Sequence, residues 1–141
     1  MAYCTLSDIN KLLPQEVLIR LTDDDMSGSV DDDVVTESID SASDEMDVYL
    51  GSRYELPITE TVDILIKLNV DIAIYNLYSR VKDSIPETRN ERYKNAIRML
   101  EKIADGKIDI IPKPDPPSSI SGSIKTKTRT KEFSETILNT Y

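Results

Sequence analysis

The sequence predicts a mainly α-helical protein: a compact bundle of four to five helices with an extended C-terminal arm in which a short β-strand can form. Three observations predict it. Apolar residues recur at three- and four-residue steps over residues 31–50 and again over 87–104. Residues 61–80 are apolar almost all round, the pattern of a helix packed on several sides. After residue 111 this pattern gives way to proline, serine, threonine and lysine. The chain therefore divides into a helical core at 1–111, a Pro/Ser-rich linker at 112–124 and an arm at 125–141.

The elements follow in order. Ser7 is a good N-cap for a short helix whose apolar face is Ile9, Leu12 and Leu13. Pro14 suits the first position of a second helix that runs to Leu21. Residues 22–30 read as a loop. Asp31, Asp32 and Asp33 then sit where the dipole of the next helix favours negative charge, and Val35, Ile39, Ala42, Met46, Tyr49 and Leu50 form its apolar face. Gly51 reads as its stop. Asp63, Lys67, Asn69, Asp71 and Asn76 interrupt the central helix too often for a membrane span, which needs about 20 mostly apolar residues. The last helix begins near Glu87 with Tyr93, Ala96, Ile97, Leu100, Ile103 and Ala104 on one face, and Gly106 ends it. Residues 107–111 read as a short strand.

Composition removes whole classes of chemistry. At 141 residues and 39 % hydrophobic content, the chain can bury one real core. Its single cysteine, Cys4, allows neither an intrachain disulfide nor a cysteine-based metal site. There is no histidine, so the commonest general base and the commonest transition-metal ligand are missing together. The opening residues lack a basic region and an apolar stretch, so no signal peptide is expected and synthesis in the cytoplasm is. Net charge is −9, but residues 1–60 hold 15 acids against 3 bases while the remainder is mildly basic. Such an asymmetry suits head-to-tail contacts between copies, although acidic helices are also simply well solvated.

Three constellations could carry chemistry. With Asp23 at the first position of a calcium-binding loop, Asp25, Ser27, Gly28, Val30 and Asp31 all fall on suitable positions. Val34 stands where the bidentate Glu is needed, so a loop capping the following helix is the stronger reading. Asp40, Asp44, Glu45 and Asp47 share a helix face, but without histidine, a phosphate loop or a nucleophile motif no enzyme is expected, nor any metal or cofactor. In the arm, Lys125, Lys127, Arg129 and Lys131 alternate with threonines. An extended strand would put the cations on one face, where they could pair with a neighbouring subunit, meet DNA phosphates, or stay in solvent as a flexible tail. Phe133, Ile137, Leu138 and Tyr141 then follow helical spacing. They read as an anchor for a partner's groove or as a segment folding back on its own domain.

Three stretches in order carry a family resemblance. They are Tyr49-Leu50-Gly51-Ser52-Arg53-Tyr54-Glu55-Leu56-Pro57, then Asp71-Ile72-Ala73-Ile74-Tyr75-Asn76-Leu77-Tyr78, then Arg92-Tyr93 through Gly106. Together they resemble the Mu-type head–tail connector (head-completion, neck adaptor) family of tailed bacteriophages. The resemblance implies a small helical subunit that assembles as a ring, commonly of twelve, beneath the portal in the neck of the virion. Portal and tail-side neck proteins would be its partners, and double-stranded DNA would pass through its lumen. It implies no catalytic residue. Tyr49, Arg53, Tyr54 and Pro57 become a helix-ending turn, Asp71, Tyr75 and Tyr78 positions of the central helix, and Arg92, Tyr93 and Gly106 the frame of the last. From their charge, and apart from the resemblance, Asp23, Asp24, Asp25, Asp31, Asp32 and Asp33 are expected to line the lumen of such a ring or to form an acidic contact surface. The rival expectation is a monomeric helical binding or regulatory module whose C-terminal tail binds a partner.

Overall fold

The computed structural model describes residues 1–82 and 84–111, and these form five helices: α1 (Leu6–Asn10), α2 (Gln15–Thr22), α3 (Asp32–Leu50), α4 (Asp63–Ser79) and α5 (Glu87–Ala104). The linker and the arm, with its expected strand and anchor, lie outside the described residues. Helix α4 sets the arrangement. Ten of its seventeen residues are buried, on every side of the helix, so it must be enclosed. Helices α1, α2, α3 and α5 all pack against it, and α3 also packs on α5. No helix among the described residues is long and apolar enough to cross a membrane.

Helix α3 lays Val35, Ile39, Ala42, Met46 and Leu50 on α4, as its period predicts, and α5 adds Ala96, Leu100 and Ile103. The short helices contribute Ile9, Leu18 and Leu21, and the turn between them Leu13, all essentially inaccessible. A buried leucine of this kind contributes about 1.5–3 kcal/mol through loss of apolar surface from water.

Inside this apolar seam lies a small polar network. Asn69 of α4 is fully buried; its Nδ2 donates to Ser43 Oγ at 3.0 Å and its Oδ1 accepts from the Cys4 backbone N–H at 3.1 Å. Ser43 in turn donates to the Ile39 carbonyl and accepts from the Tyr3 N–H. Tyr3 adds a short hydrogen bond from its hydroxyl to Asp47 Oδ1. Burial and that carboxylate both push the phenol's pKa upward. The N-terminal segment is thereby fixed to α3 and α4 at once.

The helix ends follow local chemistry. Thr5, not Ser7, caps α1: the Asp8 carboxylate accepts from both the Thr5 N–H and its hydroxyl at 3.0 Å, while Ser7 is exposed. Both residues suit a cap, and the anchoring of Cys4 on Asn69 decides between them. Leu12, expected on the buried face, is 39 % exposed because α1 ends at Asn10. Thr22, fully buried, donates to the Leu18 carbonyl and accepts from Asp31 N–H, joining the end of α2 to the start of α3. Asp31 caps α3 by accepting from Asp33 N–H at 3.0 Å and Val34 N–H at 3.3 Å. Gly51 follows α3 with an ordinary helical φ of −62°. Its missing side chain matters for space, since a Cβ there would lie 3.0 Å from the Asp47 carbonyl and 3.2 Å from Leu56.

Helix α5 ends in a Schellman turn. Gly106 takes φ +81°, its N–H bonds the Ile103 carbonyl, and Lys107 N–H bonds that of Lys102. Residues 107–111, expected as a strand, are instead a bent segment held by side chains. Arg53 donates to the Ile108 carbonyl at 3.2 Å, and Ile110 N–H donates to the Tyr54 hydroxyl at 3.2 Å. Side chains thus take backbone groups that a ladder would have used.

Asn69→Leu removes one partner from each side of the buried network and leaves the Cys4 N–H unpaired. Loss of about 1–3 kcal/mol is expected, read as a lower urea midpoint at unchanged slope. An unchanged midpoint would show the network to be dispensable.

Candidate functional site

The polar surfaces fall into an acidic side built on the α2–α3 loop and α3, and a more basic side built on α5. The loop is ordered by one carboxylate. Asp23 Oδ1 accepts from the Ser27 N–H at 2.8 Å and its hydroxyl at 3.0 Å, and Oδ2 accepts from the Gly28 N–H at 2.7 Å. The Gly28 and Ser27 N–H groups hold the Asp23 pKa below the usual carboxylate range. Asp24 leaves the cluster to meet Arg80 at 2.6 Å, and the same guanidinium donates to the Leu21 carbonyl at 2.8 Å. Asp25, Asp31, Asp32 and Asp33 line the remaining hollow with Asp23. Asp23 and Asp31 thus spend their oxygens on backbone N–H groups, which orders a loop and caps a helix. Among the described residues no group of three or more acids is arranged to hold a metal ion.

Helix α3 continues the acidic surface. It carries seven carboxylates and no base. Glu45 accepts from the Tyr93 hydroxyl and Asp47 from that of Tyr3, whereas Asp33, Glu37, Asp40 and Asp44 are exposed at three- and four-residue steps. No carboxylate of α3 is in an ion pair among the described residues, so like charges one turn apart repel along the face. Beside this stripe Val34, Glu37, Ser38, Ser41, Asn76 and Arg80 line a hollow, and the buried Asn76 Nδ2 has no hydrogen-bond partner.

The more basic side is α5, with five bases against three acids. Arg92 reaches Asp71 of α4 at 3.5 Å, and Lys67 reaches the other oxygen of that buried carboxylate at 3.5 Å. Tyr93 stacks on Tyr75 with ring centres 4.0 Å apart and planes at 11°, and donates to Glu45 at 2.9 Å. Burial first, then Glu45, pushes the Tyr93 hydroxyl up to about 12. Lys94, Arg98 and Lys102 are exposed.

The turn residues gather at the other end of α5. Arg53 donates to the Ile103 carbonyl at 2.9 Å, pairs with Asp109 at 2.6 Å, and lies 5.5 Å over the Tyr54 ring. It also packs beside Gly106, where a Cβ would lie 3.6 Å from its guanidinium carbon. The structure therefore unites Arg53, Tyr54 and Gly106, and separately Tyr75, Tyr93, Asp71 and Arg92. Tyr49 is half-buried against the core, Tyr78 is in it, and Pro57 is exposed after a cis Leu56–Pro57 bond. Lys125, Lys127, Arg129, Lys131, Phe133, Ile137, Leu138 and Tyr141 lie outside the described residues.

Sequence reasoning passed over two surface residues. Arg80 had no local signal, because its partners lie more than fifty positions upstream. Met26 stands at the loop tip, 94 % exposed with φ +58°. Its only signal was an apolar residue inside an acidic loop.

Comparison with known proteins places these features. The family model described as Bacteriophage Mu, Gp36 matches residues 3–125. The Mu-like prophage FluMu protein gp36 of Haemophilus influenzae is 35 % identical over 82 residues, which span 58 % of this chain and 56 % of that protein. Gene product J of Escherichia phage Mu is 31 % identical over 111 residues, or 77 % of this chain and 76 % of its own. The chain thus spans little more than half the length of the Haemophilus relative.

Two outcomes follow from the geometry. Cys4, raised to about 12 by burial and by Asp8, and Tyr93 hold their protons more tightly folded than unfolded. Their contribution to stability is complete below the ordinary values, about 9 for a thiol and 10 for a phenol, and is lost as pH rises toward 12. Urea midpoints should fall across that window, and Tyr93→Phe should flatten part of the fall. Met26→Gly relieves the positive φ and should raise stability by about 1 kcal/mol in the same assay.

Proposed function

Because this chain belongs to the bacteriophage Mu Gp36 family, we propose that it is a structural virion protein that forms the ring joining head to tail in the phage neck. It works by association rather than chemistry. Subunits meet side to side, the acidic α3 face of one against the basic α5 face of the next, and the contact repeats until the ring closes. Portal and tail-side proteins bind its two rims, and the basic arm at 125–141 ties subunits or layers together. Double-stranded DNA passes through the lumen without adhering, since a net charge of −9 opposes tight binding to phosphates.

One observation carries this reading: α3 holds seven carboxylates, no base and no ion pair among the described residues, while α5 of the same bundle carries an excess of cations. A helix face built of repelling charges is costly to a monomer and complementary to a basic neighbour.

A charge swap tests the reading. Light scattering of the purified protein, at several concentrations and with portal complexes, should give closed multi-subunit particles. The variant Glu37→Lys, Asp40→Lys, Asp44→Lys should need at least about tenfold more protein to assemble, a shift of about 1.4 kcal/mol. Mixing it with Lys94→Glu, Arg98→Glu, Lys102→Glu should restore assembly. A wild-type chain that stays monomeric with its partners present would support the rival binding-module reading instead.

A further inference from the structure

The two surface features that the fold itself does not use are complementary to each other. Met26 stands in water at the tip of the α2–α3 loop, in a backbone conformation that side-chain-bearing residues rarely adopt. Three hydrogen bonds onto the Asp23 carboxylate hold the loop in that shape. The monomer gains nothing from presenting an apolar side chain this way. At the opposite end of α4, helices α1 and α4 leave an apolar groove, with Leu12, Ile66 and Val70 on its floor and Asp8, Lys11, Asp63 and Lys67 around it.

Charge distinguishes the two. Met26 is flanked by Asp23, Asp24 and Asp25. The groove gathers four cations: Lys11 and Lys67 at its rim, Arg89 donating to the Leu12 carbonyl at 2.9 Å, and Arg92 beside Lys67 on Asp71. Against them stand Asp71, buried between the last two, Asp8, paired with Lys11 at 3.0 Å, and the exposed Asp63, so the groove holds four cations to three carboxylates and a small positive excess. Nor can a loop reach the groove of its own molecule. Asp24 is tied to Arg80 just past the end of α4, about 15–20 Å along the axis from Ile66–Val70 at 1.5 Å per residue.

We propose that the Met26 loop of one copy inserts into the α1–α4 groove of the next. The methionine side chain covers Leu12, Ile66 and Val70, and Asp25, the flanking aspartate not engaged within its own molecule, meets Lys11 and Lys67. Knob and groove are different patches, so the contact is heterologous and passes from copy to copy. The inference rests on the side-to-side assembly proposed above and names one place where that assembly is made.

Disulfide trapping in the full-length chain tests it. Met26→Cys and Leu12→Cys proteins, mixed and mildly oxidised, should give several-fold more heterodimer than Met26→Cys mixed with Val48→Cys. Val48 on α3 is the more accessible of the two partners, 78 % exposed against 39 % for Leu12, so accessibility alone would favour the control, and the native Cys4 is buried. Equal yields from the two mixtures would overturn the proposal. So would loss of the Met26–Leu12 product on adding a peptide of residues 125–141, which would give the groove to the arm. Light scattering of the same wild-type protein separates the two levels. Closed particles without the preferred cross-link sink this contact alone, whereas the cross-link without closed particles keeps the contact and sinks the ring.

Discussion

Helix α4 has almost no polar side to offer to water, and the rest of the structure follows from that. Leu65, Leu68, Val70, Ile72, Ala73, Ile74 and Leu77 point in every direction around it, so four other helices must close over them. Enclosure alone would leave the register of those helices loose, because apolar contacts are not directional. The buried Asn69 supplies direction. It binds Ser43 of α3 and the backbone of Cys4 at once, and any slip of α3 or of the N-terminal segment would strand a buried polar group.

A helix enclosed on nearly every side offers a partner little beyond the groove it shares with α1. The larger free surfaces are the outer faces of α3 and α5, and the two helices are opposite in charge: seven acids and no base along α3, five bases and three acids along α5. Their inner faces meet each other and α4. The intramolecular ion pairs, such as Arg80 with Asp24 and Arg92 with Asp71, tie elements together, and of these cations Arg80 also acts on Glu37 at the edge of the α3 stripe. Apart from Asn76 Nδ2, the described buried side-chain polar atoms are satisfied inside, while outside the α3 carboxylates stand without ion pairs, the feature on which the proposed assembly rests.

The long helices were legible in the sequence because their periods are long and uninterrupted; α3, α4 and α5 appear within about two residues of where periodicity puts them. Legibility failed where a distant residue decided a local question. Thr5 and Ser7 are equally good caps until Cys4 is pinned by a residue 65 positions away. Ile108 and Ile110 alternate like a strand, yet Arg53 and Tyr54, more than fifty positions upstream, take their backbone groups. The acidic surface was readable as charge, and Asp31 as a cap. The unusual φ of Met26 was not readable, because it follows from the folded path of the loop around the Asp23 carboxylate rather than from the residue type. For the arm, the sequence plan of proline spacer, basic stretch and apolar end stands as an expectation.

The central claim is that α3 of one subunit faces α5 of its neighbour. Imaging the assembled neck at a resolution that separates helices tests it most directly. The account predicts a closed ring in which every α3 lies against an adjacent α5, with α4 enclosed inside each subunit. A ring in which the α3 stripes face solvent or tail proteins, with subunits joined through other helices, would contradict it.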